Sequence, residues 1–235
     1  MKIIELDTVD STNNYAKSFF CGKEECLISA NIQTAGRGNA NNSWHSEYKK
    51  NILVSFVLFP EIEIKKFFQI SILVSLAVVD YLKSKNIFAM IKWPNDIYVG
   101  DKKIAGLLIE NTLGDTFVTK SIIGIGLNVN QSVFPASLPN PISIKKIIDK
   151  ESNLSDEVFS LTEFIFKKFK EKSSYDEDKK LYLEKLYRFQ CFSHFIVDGE
   201  NILGKIIDVD DFGFLILESE KGEIRKFAHK EIIFI

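Results

Sequence analysis

The chain has 235 residues, 46% hydrophobic and 26% charged, which excludes a disordered protein and allows one sizeable domain with a small second one. Its 30 basic and 32 acidic residues leave a formal net charge of -2, which excludes a general electrostatic attraction to DNA or RNA. No stretch is apolar enough for a membrane span or a signal peptide, and no C-x-x-C pair occurs, so we expect a reduced, cytoplasmic protein.

The predicted elements alternate at first and then become a series of strands. In chain order they are strand 3–6, a helix ending at residue 20, strand 27–32, loop 34–47, strand 51–59, helix 64–84, strands 89–93, 97–99, 103–111 and 117–130, and helices 156–173 and 179–189. Asp10, Ser11 and Thr12 offer capping oxygens to the first helix. Pro135, Pro139 and Pro141 mark a long loop.

After residue 190 the chain changes to short strands separated by glycine-containing turns. Five short strands in about 45 residues, among them 195–197, 202–207, 214–217 and 224–227, predict a small β-barrel docked on the larger domain. In the larger domain, consecutive strands with short turns favour antiparallel hairpins over a doubly wound parallel sheet. We therefore expect an α+β fold, with a mixed, mainly antiparallel sheet in domain 1–188 and a small barrel in domain 189–235.

A polar cluster, Lys92-Trp93-Pro94-Asn95-Asp96, interrupts two apolar strands. Such a cluster is costly within a sheet unless a ligand supplies the missing partners. Pro94 stops strand pairing and sets a turn that presents Asn95 and Asp96. A hairpin corner with a solvated lysine accounts for the Asn-Asp pair but leaves Trp-Pro unexplained, so the pattern favours a functional site.

A second cluster lies in the polar loop that follows Gln33. Gly36 and Gly38 flank Arg37, so the backbone can approach a ligand and the guanidinium can bind an anion. The alternative is a mobile surface loop with an incidental arginine. Trp44 favours the ligand site, because its ring can cover a flat molecule.

Two strands carry glycines where strands rarely have them. Gly106 marks a close approach by a ligand or another backbone, with an ordinary packed strand as the alternative. Gly124 and Gly126 alternate on one face and open a flat slot, with Asn128 on the same face to form hydrogen bonds. A bend in a barrel is the competing explanation.

Together these motifs, with Ser11-Thr12-Asn13, resemble biotin protein ligases (biotin–[acetyl-CoA-carboxylase] ligases) in order and spacing over nearly the whole chain. The resemblance implies a class II synthetase-like catalytic domain followed by an SH3-like barrel. It also implies an ATP-dependent, AMP-forming enzyme that uses Mg²⁺ and converts biotin to biotinoyl-5′-AMP and pyrophosphate. The biotinoyl group then passes to one lysine of a biotin carboxyl carrier protein, the carrier domain of acetyl-CoA carboxylase or a related carboxylase.

The resemblance also implies a role for each motif residue. Lys92 and Arg37 neutralise the biotin carboxylate and the α-phosphate, Trp44 stacks on adenine, Asn128 hydrogen-bonds it, and Asp96 helps to position Mg²⁺. The biotin-binding set is Ser11, Thr12, Asn13, Gln33, Gly36, Arg37, Gly38, Lys92, Gly106, Gly124 and Gly126. The ATP-binding set is Arg37, Trp44, Lys92, Asn95, Lys103 and Asn128.

The loop after Gly38 departs from the usual pattern Gly-Arg-Gly-Arg-Arg-Gly-Arg, because Asn39, Ala40, Asn41 and Asn42 stand there. Three cations are missing, so we expect biotinoyl-AMP to be held less tightly, with Lys103 or another basic residue compensating.

Some relatives in the family are bifunctional and repress biotin synthesis through an N-terminal winged helix. The first motif already occurs at Ser11, so we expect neither this domain nor DNA binding. A homodimer is common in the family. The alternatives are a lipoate-type ligase and, with less support, a non-enzymatic nucleotide or carrier-protein binding module.

Overall fold

The computed structural model describes residues 1–19, 22–39, 42–171 and 173–235. Its main sheet has seven strands in the order β1-β2-β3-β7-β6-β5-β4. Only the β1–β2 pair of these strands is parallel. The predicted mixed, mainly antiparallel sheet is therefore confirmed. The strands are β1 (Lys2–Val9), β2 (Cys26–Gln33), β3 (Ile52–Leu58), β4 (Met90–Lys92), β5 (Asp96–Val99), β6 (Lys102–Leu113) and β7 (Val118–Leu127).

The two faces of this sheet are covered differently. One face packs against α2 (Gln69–Lys83), which in turn contacts α4 (Leu154–Lys170) and α5 (Tyr175–Glu184). Most of α2 is buried, which agrees with its apolar character on nearly every side. The short helix α1 (Thr12–Ser18) packs on β2, β3 and β7 through a separate small apolar cluster. The large apolar core thus leaves the α1 face available for polar residues.

Several helix predictions differ from the structure. Residues 64–66 form a separate 3₁₀ turn before α2, so the predicted helix 64–84 is divided. The predicted long loop contains α3 (Ile144–Ile148), capped by the Ser143 hydroxyl, and five residues are too few for a periodic pattern. The last helix, α5, begins four residues before the predicted start at Lys179, because Ser174 and Glu177 form a capping box.

The capping prediction for the first helix is wrong. Ser11 occupies the N-cap position, but its side chain forms no capping hydrogen bond. The carboxylate of Asp10 instead accepts a hydrogen bond from Asn14 Nδ2 at 2.6 Å. The helix ends at Ser18, and the predicted end at Phe20 lies outside the described residues, as does Cys21.

The C-terminal strands form a separate antiparallel sheet in the order β11-β10-β9-β8-β12, which confirms the predicted small all-β unit. They are β8 (Phe192–Val197), β9 (Glu200–Val209), β10 (Leu215–Ser219), β11 (Ile224–Phe227) and β12 (Ile232–Phe234). Its buried residues belong to the same apolar cluster as α2, so the two sheets share one core. Among the described helices, none is long and apolar enough to cross a membrane.

The contact between the two sheets includes the turn before β10. Trp93 Nε1 donates a hydrogen bond to the carbonyl oxygen of Gly213 at 2.9 Å. Gly213 has a φ of +81°, and a Cβ at this position would overlap the ring of Phe68. Glycine is therefore required there twice, by backbone conformation and by the close approach of an aromatic ring.

Gly222 offers a matched control for this contact, because its φ is +78° and an added Cβ would meet nothing within 4 Å. We expect Gly222→Ala to lower the free energy of unfolding by about 1 kcal/mol, the cost of a left-handed backbone. Gly213→Ala should cost about 1–3 kcal/mol more, because the methyl group overpacks the Phe68 contact. Urea unfolding of both variants measures the difference, and equal losses would contradict this account of the interface.

Candidate active site

One cavity of about 430 Å³ is lined by residues of the main sheet, α1, the arginine loop and the C-terminal sheet. Among the residues predicted from the sequence, only Gly36 and Asn128 do not line it. The others are Ser11, Thr12, Asn13, Gln33, Arg37, Gly38, Trp44, Lys92, Asn95, Asp96, Lys103, Gly106, Gly124 and Gly126. Segments that are far apart in the sequence therefore meet in one place.

Strand register explains why several of these residues meet. Gly126 of β7 pairs with Gly106 of β6, Gly106 pairs with Asp96 of β5, and Asp96 pairs with Lys92 of β4. Residues that lie directly opposite each other point to the same face of a sheet. A single row across four strands thus carries two glycines, a carboxylate and an ammonium group.

Polar residues of α1 close one end of the cavity. Gln33 Oε1 accepts hydrogen bonds from the backbone nitrogen of Thr12 at 2.8 Å and from its hydroxyl at 3.1 Å. Ser55 Oγ lies 2.7 Å from Thr12 Oγ1 and 2.6 Å from Asn13 Oδ1, and its one proton can serve either acceptor. Sequence analysis missed Ser55, although a single polar residue in the buried strand β3 was a usable signal.

The glycines make room for protein side chains as well as for a ligand. A Cβ at Gly124 would overlap the amide of Asn13, and one at Gly126 would overlap the Trp44 indole. The predicted open slot is therefore filled by Trp44 at Gly126. Trp44 Nε1 is buried and has no hydrogen-bond partner among the described residues. A buried donor without a partner costs about 1–3 kcal/mol, which favours displacement of the indole by a ligand.

Lys92 lies in an aromatic environment without an ion pair to any described residue. Its Nζ donates a hydrogen bond to Tyr98 OH at 3.1 Å and lies 5.3 Å from the Phe234 ring centroid. Burial lowers the pKa of Lys92 below its ordinary value, as do the charges of Arg188 and Lys103, against an opposing effect of Asp96. Burial, together with nearby negative charge, raises the pKa of Tyr98 to about 12. Lys92 is thus a poorly solvated cation, suited to binding an anion.

Asp96 forms an ion pair with Lys103, with the two charged atoms 2.8 Å apart. It is the sole carboxylate among the described residues that line the cavity. The described residues contain no group of three or more His, Cys, Asp or Glu side chains able to hold a metal. Mg²⁺ commonly uses one or two carboxylates together with phosphate oxygens and water, so Asp96 fits this mode once Lys103 releases it. Asn95 Nδ2 donates to the Leu107 carbonyl at 2.6 Å and fixes the neighbouring turn.

Arg37 lies at the rim of the cavity and already has two partners. Its Nη1 donates to Asn14 Oδ1 at 2.8 Å, and its Nη2 donates to Glu110 Oε1 at 3.2 Å. The arginine loop folds back on itself, because Trp44 N donates to the carbonyl of Gly36 at 2.9 Å. Gly36 therefore supports the loop from outside the cavity. Ala40 and Asn41 lie outside the described residues.

Asn128 differs from its predicted placement. Strand β7 ends at Leu127, and the Asn128 side chain is buried away from the cavity. Its Nδ2 donates to the Ile142 carbonyl at 3.0 Å and to the Lys103 carbonyl at 3.5 Å. The amide of Asn128 thus connects the segment before α3 with β6. The prediction was wrong because the alternation of side chains between the two faces of β7 ends with the strand at Leu127.

The C-terminal sheet contributes residues that sequence analysis did not place in the site. His229, Lys230 and three residues of β12 line the cavity, and Lys230 has a φ of +79°, which is unusual for a lysine. The ring of His229 packs edge-on against Trp93. Partial burial and the charge of Lys230 lower the pKa of His229, against an opposing effect of Asp96, so it is neutral at pH 7. Because Lys230 lines the cavity, it is an additional cation available to a bound anion.

Comparisons with known proteins identify the family. Residues 6–128 match the Biotin/lipoate A/B protein ligase family, and residues 194–234 match the Biotin protein ligase C terminal domain. The bifunctional ligase/repressor BirA of Bacillus spizizenii is 30% identical over 98% of this chain and 73% of its own length. The corresponding protein of Bacillus subtilis is 32% identical over 89% of this chain and 66% of its own length.

A solved structure supports the same conclusion. The biotin protein ligase from Aquifex aeolicus, in complex with biotin and ATP, superposes with a TM-score of 0.80 at 26% identity. The match covers 98% of this chain and 97% of the Aquifex chain. The resemblance inferred from the motifs is confirmed, and the chain belongs to the biotin/lipoate A/B protein ligase family as a biotin protein ligase.

Proposed function

We propose that this chain activates biotin with ATP, forming biotinoyl-5′-AMP and pyrophosphate, and transfers the biotinoyl group to a lysine of a biotin carboxyl carrier protein. Membership of the biotin protein ligase family supports the activation of biotin with ATP. The proposal adds the biotin carboxyl carrier protein as the acceptor of the biotinoyl group. The observation behind it is that one cavity combines the polar Thr12–Gln33 pair, a glycine-lined sheet face and the cations Lys92 and Arg37.

The polar end of the cavity suits the ureido group of biotin. Ser11, Thr12, Asn13 and Gln33 offer both donors and acceptors, which a cyclic urea requires because it has two N–H groups and one carbonyl. Gly106, Gly124 and Gly126 carry no side chains, so a flat ring can lie on the sheet. Trp44 leaves Gly126 in this complex and offers its plane to adenine.

The first step joins two anions. A carboxylate oxygen of biotin forms a bond to the α-phosphorus, and the bond from this phosphorus to the bridging oxygen breaks as pyrophosphate leaves. Lys92 and Arg37 reduce the repulsion and stabilise the charge that builds up in the transition state. Asp96 would be the protein ligand of a bound Mg²⁺, which would add charge neutralisation on the phosphates.

The second step needs no covalent nucleophile from this chain. The neutral amine of the carrier lysine attacks the acyl carbon of the adenylate, AMP leaves, and the amine loses a proton. The cavity is open to solvent, so an extended lysine side chain of the carrier has access to the acyl group.

The structure also bears on how the missing loop cations are replaced. Lys103 pairs with Asp96, so it becomes free to bind phosphate only when Asp96 turns from Lys103 to Mg²⁺. Lys230 faces the same cavity from the C-terminal sheet and is exposed. We therefore assign Lys230, rather than Lys103 alone, as the compensating cation near the triphosphate.

Two further features of the proposal concern assembly and location. The outer edge of β1 pairs with no other described strand, and its free backbone groups are available to a second copy in a homodimer. Sedimentation velocity tests this assembly. A cytoplasmic location follows from the proposed carrier, which is an intracellular carboxylase component.

The lipoate-type alternative is less favoured, because the C-terminal domain and the relatives are those of biotin protein ligases. Isothermal titration with biotin and with lipoate decides between the acids. We expect biotin to bind about 10⁴-fold more tightly than lipoate, the scale of discrimination when a site's buried polar groups lose their partners.

Labelling of a purified biotin carboxyl carrier domain with biotin, ATP and Mg²⁺, detected on a streptavidin blot, tests the transfer. Absence of labelling without ATP is the expected control, and no labelling with ATP would contradict the proposed function.

Removal of the Lys92 charge tests the adenylation mechanism. We expect Lys92→Ala to lower biotin-dependent ATP–pyrophosphate exchange by about 100-fold or more, on the scale of losing one preorganised transition-state contact. The exposed Lys102 at the start of β6 does not line the cavity, so Lys102→Ala is the matched control and should keep nearly full exchange. Near-normal exchange by a folded Lys92→Ala variant would contradict the assignment.

The lowered pKa of Lys92 predicts the alkaline limit of adenylation. The cationic form binds the anions, and this form is lost as pH rises through a pKa below the ordinary lysine value of 10.5. Because the pKa of Tyr98 is about 12, its hydroxyl stays neutral over this range. The pH profile of kcat/KM for biotin in the exchange assay should fall on the alkaline side before pH 10.5. A rate that stays constant to that pH would contradict the cationic role.

A further inference from the structure

Glu110 is a charged residue beside the cavity to which the proposed chemistry gives no role. It lies on β6, two residues beyond Leu108 and four beyond Gly106, so it points to the same face of the sheet as the glycine row. Its Oε1 accepts from Arg37 Nη2 at 3.2 Å and from Lys17 Nζ at 2.6 Å. Its Oε2 accepts from Asn13 Nδ2 at 2.9 Å.

The charge state of Glu110 is set by these partners. Partial burial acts to raise its pKa, but hydrogen bonds from Lys17 and Asn13 and the charge of Arg37 lower it below the ordinary value. Glu110 is therefore ionised at neutral pH and forms a charge-assisted contact with Arg37. Its side chain is 22% exposed, which leaves the pair only partly screened by water.

The side chain of Arg37 would be poorly ordered without a partner that holds it. Arg37 is the only lysine or arginine between Gln33 and Glu47, and its side chain is 40% exposed on a glycine-flanked loop. A long side chain in this setting samples many rotamers unless it is held. Glu110 and Asn14 hold one nitrogen each, and the remaining N–H groups of the guanidinium have no partner among the described residues and can bind an anion.

The same carboxylate connects Arg37 to the polar end of the cavity. Asn13 bonds Glu110 through Nδ2, and its Oδ1 lies 2.6 Å from Ser55 Oγ, which also contacts the Thr12 hydroxyl. The residues that bind the ureido group and the residue that binds the reacting anions are thus fixed by one continuous network. We propose that Glu110 is a positioning residue that holds the Arg37 guanidinium at the cavity rim, in register with the acid bound at Thr12 and Gln33.

A purely structural ion pair is the alternative. If the pair had only a structural role, loss of the Glu110 charge would lower the melting temperature slightly, because partly exposed pairs contribute little to stability, and it would leave the rate of exchange unchanged. A positioning role has the opposite signature, since a small displacement of a catalytic group lowers the rate in a fold that stays intact. The inference rests on the proposed function, because the measured reaction is biotin activation.

The test is Glu110→Gln in the full chain, which keeps the size of the side chain and removes its charge. We expect kcat of biotin-dependent pyrophosphate exchange to fall about tenfold with the melting temperature nearly unchanged, an effect typical of a displaced catalytic group. Lys17→Met is the matched control, because it removes the other cation from Glu110 Oε1 without touching Arg37, and it should stay within about twofold of the wild type.

A double-mutant cycle separates positioning from structure. In an Arg37→Ala background, Glu110→Gln should cause no further loss, because the group that it positions is gone. Asn14→Ala removes the partner of Nη1 and should give a smaller loss that also disappears in this background. A wild-type rate in Glu110→Gln, or a loss that persists without Arg37, would overturn the inference. A wild-type chain without biotin-dependent exchange would overturn the proposed function itself.

Discussion

The carboxylate of biotin and the triphosphate of ATP repel each other, and the site must offset this repulsion before the two can react. At contact distance in a partly dehydrated cavity, two such charges repel by several kcal/mol, so cations must be in place before the reactants meet. Besides the Lys103–Asp96 pair, three cations among the described residues line the cavity: Lys92 on the sheet, Arg37 on the loop, where Glu110 holds it from outside the cavity, and Lys230 in the C-terminal unit. Each comes from a different part of the fold, and their convergence gives the C-terminal sheet a role beyond packing.

The main sheet makes this arrangement possible through alternation. On one face its strands bury apolar side chains against α2, and on the other the same strands present glycines, Ser55, Asp96 and Lys92. The two glycines of the row are directly paired, so the floor of the cavity is backbone over two adjacent strands. Most of the apolar core thus lies on one face, and the chemical groups lie on the other, beside the small apolar cluster under α1.

The sequence predicted the strands and most of the cavity, because β-strands with short turns and glycine-containing motifs are local signals. Helix α3 was missed because five residues carry no period, and the start of α5 was misplaced because its cap lay in a segment that resembled a loop. Ser55 and Glu110 were missed as site residues for a different reason. Each acquires its role from a partner 42 or more positions away, and no local pattern encodes such a contact. Asn128 illustrates the limit of alternation, which ends with the strand.

The central claim is that this chain activates biotin as an adenylate, and exchange of labelled pyrophosphate into ATP by the wild-type protein tests it most directly. The account predicts exchange that requires biotin and Mg²⁺, proceeds without any carrier protein, and is not supported by lipoate. Exchange that is absent with biotin, or equally fast with lipoate, would contradict it.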